Sequence, residues 1–164
     1  MFRAMRRSGQ ALSPEECDAI LREGTSGVLA VIGDGGYPYA VPLSYFYEAG
    51  KLYFHCAKMG HKLDAIGNDN RVSFCVIGQD RVMPERYTTC FRSVIVFGTA
   101  RILQDAEEKR RAIEKLTEKY APGREEERRR EIGREFDRLC MVEISILHRT
   151  GKEAVELKKE RVGR

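Results

Sequence analysis

Leu52 to Lys62 reads LYFHCAKMGHK. Leu52, Phe54 and Cys56 alternate with Tyr53, His55 and Ala57, the period of two that a strand produces by pointing successive side chains to opposite faces, and this predicts a strand over 52–57. Gly60 then opens HKLDAIGND, where Leu63 and Ile66 stand three apart, so a short helix is predicted whose first turn carries His61 and Lys62. A strand running into a glycine-led helix start gathers free backbone N–H groups and a fixed cation in one place, which is what an anion needs. The stretch therefore reads as a phosphate site. Taken alone, a Lys beside a Gly is more often a solvated turn, and a His on a half-buried strand more often a packed one, so the surrounding chain has to decide.

The chain has 164 residues, 42% of them hydrophobic and 33% charged, which fits one soluble globular domain spanning 1–164. No apolar run approaches the ~18 residues a membrane helix needs, and the basic start MFRAMRRSGQ is followed by no apolar stretch, so neither a membrane span nor a signal peptide is expected. A cytoplasmic setting follows as the expectation. The five cysteines, Cys17, Cys56, Cys75, Cys90 and Cys140, are scattered and odd in number, which predicts free thiols rather than a disulfide framework or a zinc site. Net charge is +4, but between Asp105 and Arg138 eleven acidic and eleven basic residues cancel. Glu107 with Arg111, Glu125 with Arg129 and Glu126 with Arg130 are spaced for pairing along a solvated helix face, so nucleic acid is not an expected partner.

Around the central stretch the remaining elements follow in order. Ser13, Pro14 and Glu16 spell a capping box that starts a helix ending near Gly24. GVLAVIG (27–33) and YPYAVPLSYFY (37–47) form a hairpin about Asp34, Gly35 and Gly36; Pro38 and Pro42 cannot donate ladder hydrogen bonds and place the second strand at an edge or a bulge. After the strand at 52–57 and its helix comes VSFCVIG (72–78), giving four strands in a meander. QDRVMPERYTTCF (79–91) has no clean period and reads as a loop, and RSVIVFGTARIL (92–103) as a long strand bent at Gly98. Two helices follow, the first capped by Asp105 with Ile113, Leu116 and Tyr120 on its stripe, the second with Ile132, Phe136 and Leu139. MVEISIL (141–147) is the last strand, and the polar tail after Gly151 is expected to fray. The expected fold class is mainly β, a six-stranded antiparallel barrel with peripheral helices, since closing such strands removes exposed edges.

These residues resemble a known family. GVLAVIGDGGYPYAVPLSYFYEAGKLYFHCAKMGHKLDAIGNDNRVSFCVI is similar to the FMN-binding split barrel of the pyridoxamine 5′-phosphate oxidase superfamily, and RSVIVFGTARIL resembles its later strand. Within that group the MFRAMRR start and the H-x-A-x-x-G-H-K segment at His55 to Lys62 resemble the 5-nitroimidazole resistance (nitroimidazole reductase) family. The resemblance implies a homodimer with FMN sites at the interface and a small-molecule substrate. It places His61 and Lys62 at the phosphate, His55, Cys56 and Ala57 on the strand beneath the flavin ring, and Val41, Pro42, Leu43 and Ser44 on the strand whose backbone meets the ring. Arg92 and Ser93 match positions contributed across the interface, and His55 matches a histidine near flavin and substrate, hence the catalytic candidate.

The chain contains no Trp, and its C-terminal GKEAVELKKERVGR lacks the Trp- and Arg-containing segment of pyridoxamine phosphate oxidases, which argues against vitamin B6 oxidation. The expected function is an FMN-dependent oxidoreductase acting on small nitroaromatics. Two alternatives stay open: a haem-binding or haem-degrading protein on the same barrel, with His55, His61 or His148 as the iron ligand, and a non-catalytic flavin or small-molecule binding module.

Overall fold

The computed structural model describes residues 2–162; Met1 of the MFRAMRR start and the last two residues of the tail lie outside them. Ser13 Oγ accepts from the Glu16 N–H at 3.2 Å while the Glu16 carboxylate accepts from the Ser13 N–H at 2.7 Å, and this capping box starts α1 (Pro14–Glu23). Gly24 ends it for a reason of space, because a Cβ there would lie 2.6 Å from the Tyr45 hydroxyl and 2.8 Å from Val76. β1 (Gly27–Ile32) and β2 (Pro38–Leu43) form the expected hairpin, whose turn uses positive φ at Gly35 and Gly36.

YPYAVPLSYFY is two strands, so the sheet has seven rather than six. β2 stops at Leu43 and β3 (Phe46–Glu48) pairs with β4 (Lys51–Ala57). Between them Tyr45 turns fully into the core, and its backbone is satisfied without a strand: its N–H donates to the Tyr120 hydroxyl at 3.0 Å, and its carbonyl accepts from Lys119 Nζ at 3.1 Å. The sheet is antiparallel in the order β2-β1-β5-β6-β7-β4-β3, completed by β5 (Arg71–Met83), β6 (Thr88–Ile102) and β7 (Leu139–Glu153). The expected meander is therefore corrected. β4 does not pair with β5, because α2 (His61–Asn68) carries the chain away from it and β4 pairs with β7 over its whole length.

Other expectations also change. Residues 79–91, read as a loop, continue β5 and β6 into a long hairpin. The register shift between Ile77 and Gln79 and a left-handed Tyr87 at its tip hide that pairing from a period count. α3 (Ala106–Tyr120) is capped by Asp105 as expected, but α4 (Glu125–Glu135) ends before Phe136, and Leu139 begins β7. The described part of the tail is ordered into elements, where fraying was expected: β7 runs to Glu153 and α5 (Val155–Val162) packs Leu157 against Cys90 and Ala154. Glu107 pairs with Arg111 at 3.8 Å, while α4 uses i,i+3 pairs, Arg124–Glu127 and Glu131–Arg134, in place of the expected i,i+4 ones. Gly98 does mark a bend, with a register shift beside it and the Ser145 carbonyl where a Cβ would stand.

One core cluster joins Leu29 and Val31 of β1, Phe74 and Val76 of β5, Val94 and Val96 of β6, and Val142 and Ile144 of β7 to Leu52 and Phe54 of β4. Strands from both halves of the sheet order thus share one interior, and the two sheet edges are consecutive in the chain, so the sheet curls round its core with hydrogen bonding open between β2 and β3. α1 and α2 close the interior with Cys17, Leu21, Leu63 and Ile66. A second cluster holds α3 and α4 against Phe46, Leu103 and Met141. Glu143, 2% exposed, links β4, β6 and β7 by accepting from Lys51 at 3.0 Å and Arg101 at 2.9 Å. Burial would raise its carboxyl, but the hydrogen bonds from Arg101, Lys51 and Tyr53 prevail and hold it below the ordinary carboxylate value. The outer face of β5, β6 and β7 leaves Ile77, Ile95, Phe97 and Leu147 exposed. Among the described residues no helix is long and apolar enough to cross a membrane.

Candidate functional site

β4 alternates as the sequence predicts: Leu52 and Phe54 are buried, while His55 and Ala57 face outward. Three residues on, Gly60 caps α2 with φ +132°, a conformation open to glycine, and offers no side-chain acceptor to the first turn. Leu63, Ala65 and Ile66 bury the helix against the core, which fixes His61 and Lys62 at its exposed start.

The two first-turn residues play different parts. The His61 ring stacks on Tyr39 of β2, centroids 4.2 Å apart, and its Nε2 accepts from the Asp34 N–H at 3.3 Å. His61 thereby fastens α2 to the β1–β2 turn. Lys62 is half-buried, and its charge acts on His55 and Cys56 of β4 and on Cys140 of β7. Desolvation, and then the Lys62 charge, push the His55 imidazole below its ordinary value. The neutral ring is therefore the favoured form near neutral pH.

Across the open seam of the sheet, β2 supplies the other side. Val41 and Leu43 turn toward the core, Pro42 and Ser44 toward solvent, and among the described residues β2 pairs with β1 alone, leaving its outer backbone edge without a strand. Ser44 and His55 line one cleft of about 400 Å³, whose other walls are Leu116 and Tyr120 of α3, Ile132 of α4 and Leu139 of β7. Tyr39, Tyr120 and Leu139 carry no local sequence signal for this role; they arrive through the curl of the sheet and the packing of α3.

Of the sequence-predicted residues, the structure brings His61 onto Tyr39 of β2, Ser44 into one cleft with His55, and Lys62 to act on His55 and Cys56, with Val41, Leu43 and Cys56 packed on the shared core and Pro42 and Ala57 facing outward on their strands. Arg92 and Ser93 stand elsewhere, on β6 opposite Glu153 and Lys152, where Arg92 Nε donates to the Glu153 carboxylate at 3.2 Å. His148 lies on β7 and stacks on Phe2, centroids 4.7 Å apart.

The curled antiparallel sheet thus sets the helix inserted after β4, with His61 and Lys62 on its first turn, beside an open strand edge. The sequence matches the pyridoxamine 5′-phosphate oxidase family model over residues 13–153, and the chain belongs to that family. No curated protein matches it. Among solved structures it resembles a Bacteroides thetaiotaomicron protein assigned by name to 5-nitroimidazole antibiotic resistance (19% identity, 87% of this chain and 86% of that one, TM-score 0.71). An FAD- and haem-binding protein of Mycobacterium smegmatis is also similar (22%, 89% and 73%, 0.73). So is an FAD-binding protein of Mesorhizobium loti (26%, 88% and 97%, 0.61).

The His55 environment predicts its titration. Followed by NMR, His55 is expected to titrate below the ordinary value of 6.5, and Lys62→Met to move the midpoint back toward it. Since the folded value is depressed, stability is unaffected above the unfolded value and falls as pH drops through it toward the folded one. A midpoint unmoved in Lys62→Met would take Lys62 out of the His55 environment.

Proposed function

We propose that the chain is a flavin-dependent oxidoreductase that holds FMN at the seam between β2, β4 and α2 and passes electrons to small nitroaromatics of the 5-nitroimidazole type. The observation that carries this reading is the position of Lys62 on the first turn of α2, acting on His55 and Cys56 of β4, in a member of the pyridoxamine 5′-phosphate oxidase family. The residues present fit the group: an uncapped helix start and a lysine suit a terminal phosphate, and the free edge of β2 suits the hydrogen-bonding rim of a flat heterocycle. When bound, the flavin supplies the electron chemistry. Lys62 and the first-turn amides hold the phosphate, and His61, committed to Tyr39 and the Asp34 N–H, orients that turn. His55, neutral and outward-facing beside an apolar cleft, offers a ring N–H to a substrate oxygen.

A single terminal phosphate favours FMN, and the FAD- and haem-binding proteins on this fold name the competing occupants. The visible spectrum of the purified protein separates flavin from haem, and titration with each flavin separates FMN from FAD. A charge-assisted phosphate contact is worth about 1.5 to 3 kcal/mol. Lys62→Ala is accordingly expected to weaken FMN roughly ten- to a hundredfold; unchanged affinity removes Lys62 from the site.

His55→Gln is expected to keep the flavin spectrum while anaerobic reduction of a 5-nitroimidazole by the pre-reduced protein falls about tenfold or more, since a positioned proton donor contributes ~100- to 10,000-fold. Turnover at the parent rate would leave His55 with packing alone.

We further propose a homodimer. The exposed Ile77, Ile95, Phe97 and Leu147, with a groove of about 510 Å³ lined by Phe2, Ile32, Phe97 and Leu147, support a second copy on this face. Arg92 and Ser93, away from the seam of their own chain, would then reach the partner's site. Light scattering is expected to give a dimer whose stability rises with FMN loading; a monomer that still holds FMN overturns it.

A further inference from the structure

Cys56 on β4 and Cys140 on β7 are 84 residues apart in sequence and directly opposite in the antiparallel register, with their sulfurs 3.3 Å apart. Both are free thiols, so closing to a bond of ~2.05 Å asks the sulfurs to approach by only about an ångström. Cys140 is 8% exposed, whereas Cys56 is half-buried and within reach of a small reagent. Among the described residues, Cys17, Cys75 and Cys90 have no such thiol partner. Lys58, Lys62 and Lys109 all act electrostatically on Cys140. The hydrogen bond between the two sulfurs favours loss of one proton from the pair, the charges of Lys109, Lys62 and Lys58 assist it and burial opposes it. The same hydrogen bond, with burial, holds the second proton more tightly.

We propose that Cys56 and Cys140 form a redox-active dithiol that closes to a cross-strand disulfide at the expense of a small-molecule disulfide of the glutathione class. With one proton lost from the pair, the thiolate on Cys56, the more accessible sulfur, attacks one sulfur of the oxidant; the oxidant's S–S bond breaks and the first small thiolate leaves, taking up the proton held by Cys140. The Cys140 thiolate then attacks Cys56 of the mixed disulfide, the Cys56–S–S–R bond breaks, and the second small thiolate departs and is protonated by water. Two protein thiols are oxidised and one small disulfide is reduced to two thiols. The closed bond would tie β4 to β7 just before α2 begins. Cys56 also lies on the strand of the proposed flavin site, yet the thiol reaction does not rest on that reading, and its test needs no flavin turnover.

The test uses the full chain as purified, fully reduced, with its five cysteines. Incubation with excess oxidised glutathione is expected to lower the free-thiol count from five to three, release two glutathiones per chain and yield a peptide pair joined through Cys56 and Cys140, all reversed by excess reduced glutathione. In Cys140→Ser the reaction is expected to stop with one glutathione on Cys56, and in Cys56→Ser the buried Cys140 is expected to stay unreacted. Should either variant fail to fold, the unmutated protein still decides: phenylarsine oxide, which bridges two close thiols, is expected to bind one to one and block the reaction with glutathione disulfide. A count that stays at five, oxidation that leaves the 56–140 pair unlinked, or failure of the arsenical to bind the native protein would each overturn the proposal.

Discussion

The pairing of β4 with β7 is the constraint on which the rest of the molecule depends. Seven register pairs, from Lys51↔Ser145 to Ala57↔Leu139, place β4 beyond β7 instead of beside β5, its neighbour in sequence. α2 has to span the gap this leaves, so its start meets the open seam of the sheet. The same register turns His55 outward, sets Cys56 against Cys140, and allows Lys51 to reach the buried Glu143. A slip of one residue would exchange the inner set Leu52 and Phe54 for Tyr53 and His55, and burying a polar ring in place of Phe54 would cost several kcal/mol.

The seam needs its own support, since an antiparallel sheet with two free edges close together is exposed to pairing with other chains. Support comes from the end of α3. Lys119 donates to the carbonyls of Gly24 and Tyr45, the Tyr120 hydroxyl accepts from the Tyr45 N–H, and the Tyr45 hydroxyl donates to the Leu21 carbonyl at 2.8 Å. The Tyr45 backbone, left out of the ladder by the break between β2 and β3, is thereby matched by side chains of α3. Burial without a counter-charge holds the Lys119 amine below its ordinary value and raises the Tyr45 phenol. Stacked proline positions on β2, Pro38 and Pro42, keep the other edge short of donors, a further brake on edge pairing.

What the sequence made legible was local. The Ser13 capping box, the Gly35–Gly36 turn, the Asp105 cap, the alternation of β4 and the bend at Gly98 all follow from residues within a few positions of one another, and all appear where their chemistry puts them. What failed was pairing at a distance. Nothing near Ala57 announces that its partner is Leu139, so four consecutive strands read as a meander. The β5–β6 hairpin failed differently: a register shift after Ile77 interrupts the alternation, and the turn uses Tyr87 in a left-handed conformation where a glycine would have signalled it. Family resemblance pointed to the residues about the seam as a group, yet that His61 stacks on Tyr39 and accepts from the Asp34 N–H could not be read, because those residues meet it only in the folded chain.

Charge placement sets the end of β4 apart from the helices. The helices carry most of the charge but cancel it internally, through pairs such as Glu107–Arg111 and Glu131–Arg134, and contribute little field at a distance. At the end of β4 the balance is different. Lys58, Lys62 and Lys109 act together on Cys140, and Lys62 acts on His55 as well. His61 plays another part there: its ring stacks on Tyr39 and its Nε2 accepts the Asp34 N–H. The lysines thus carry the positive potential at the end of β4, while the imidazole ties the first turn of α2 to β2 and the β1–β2 turn.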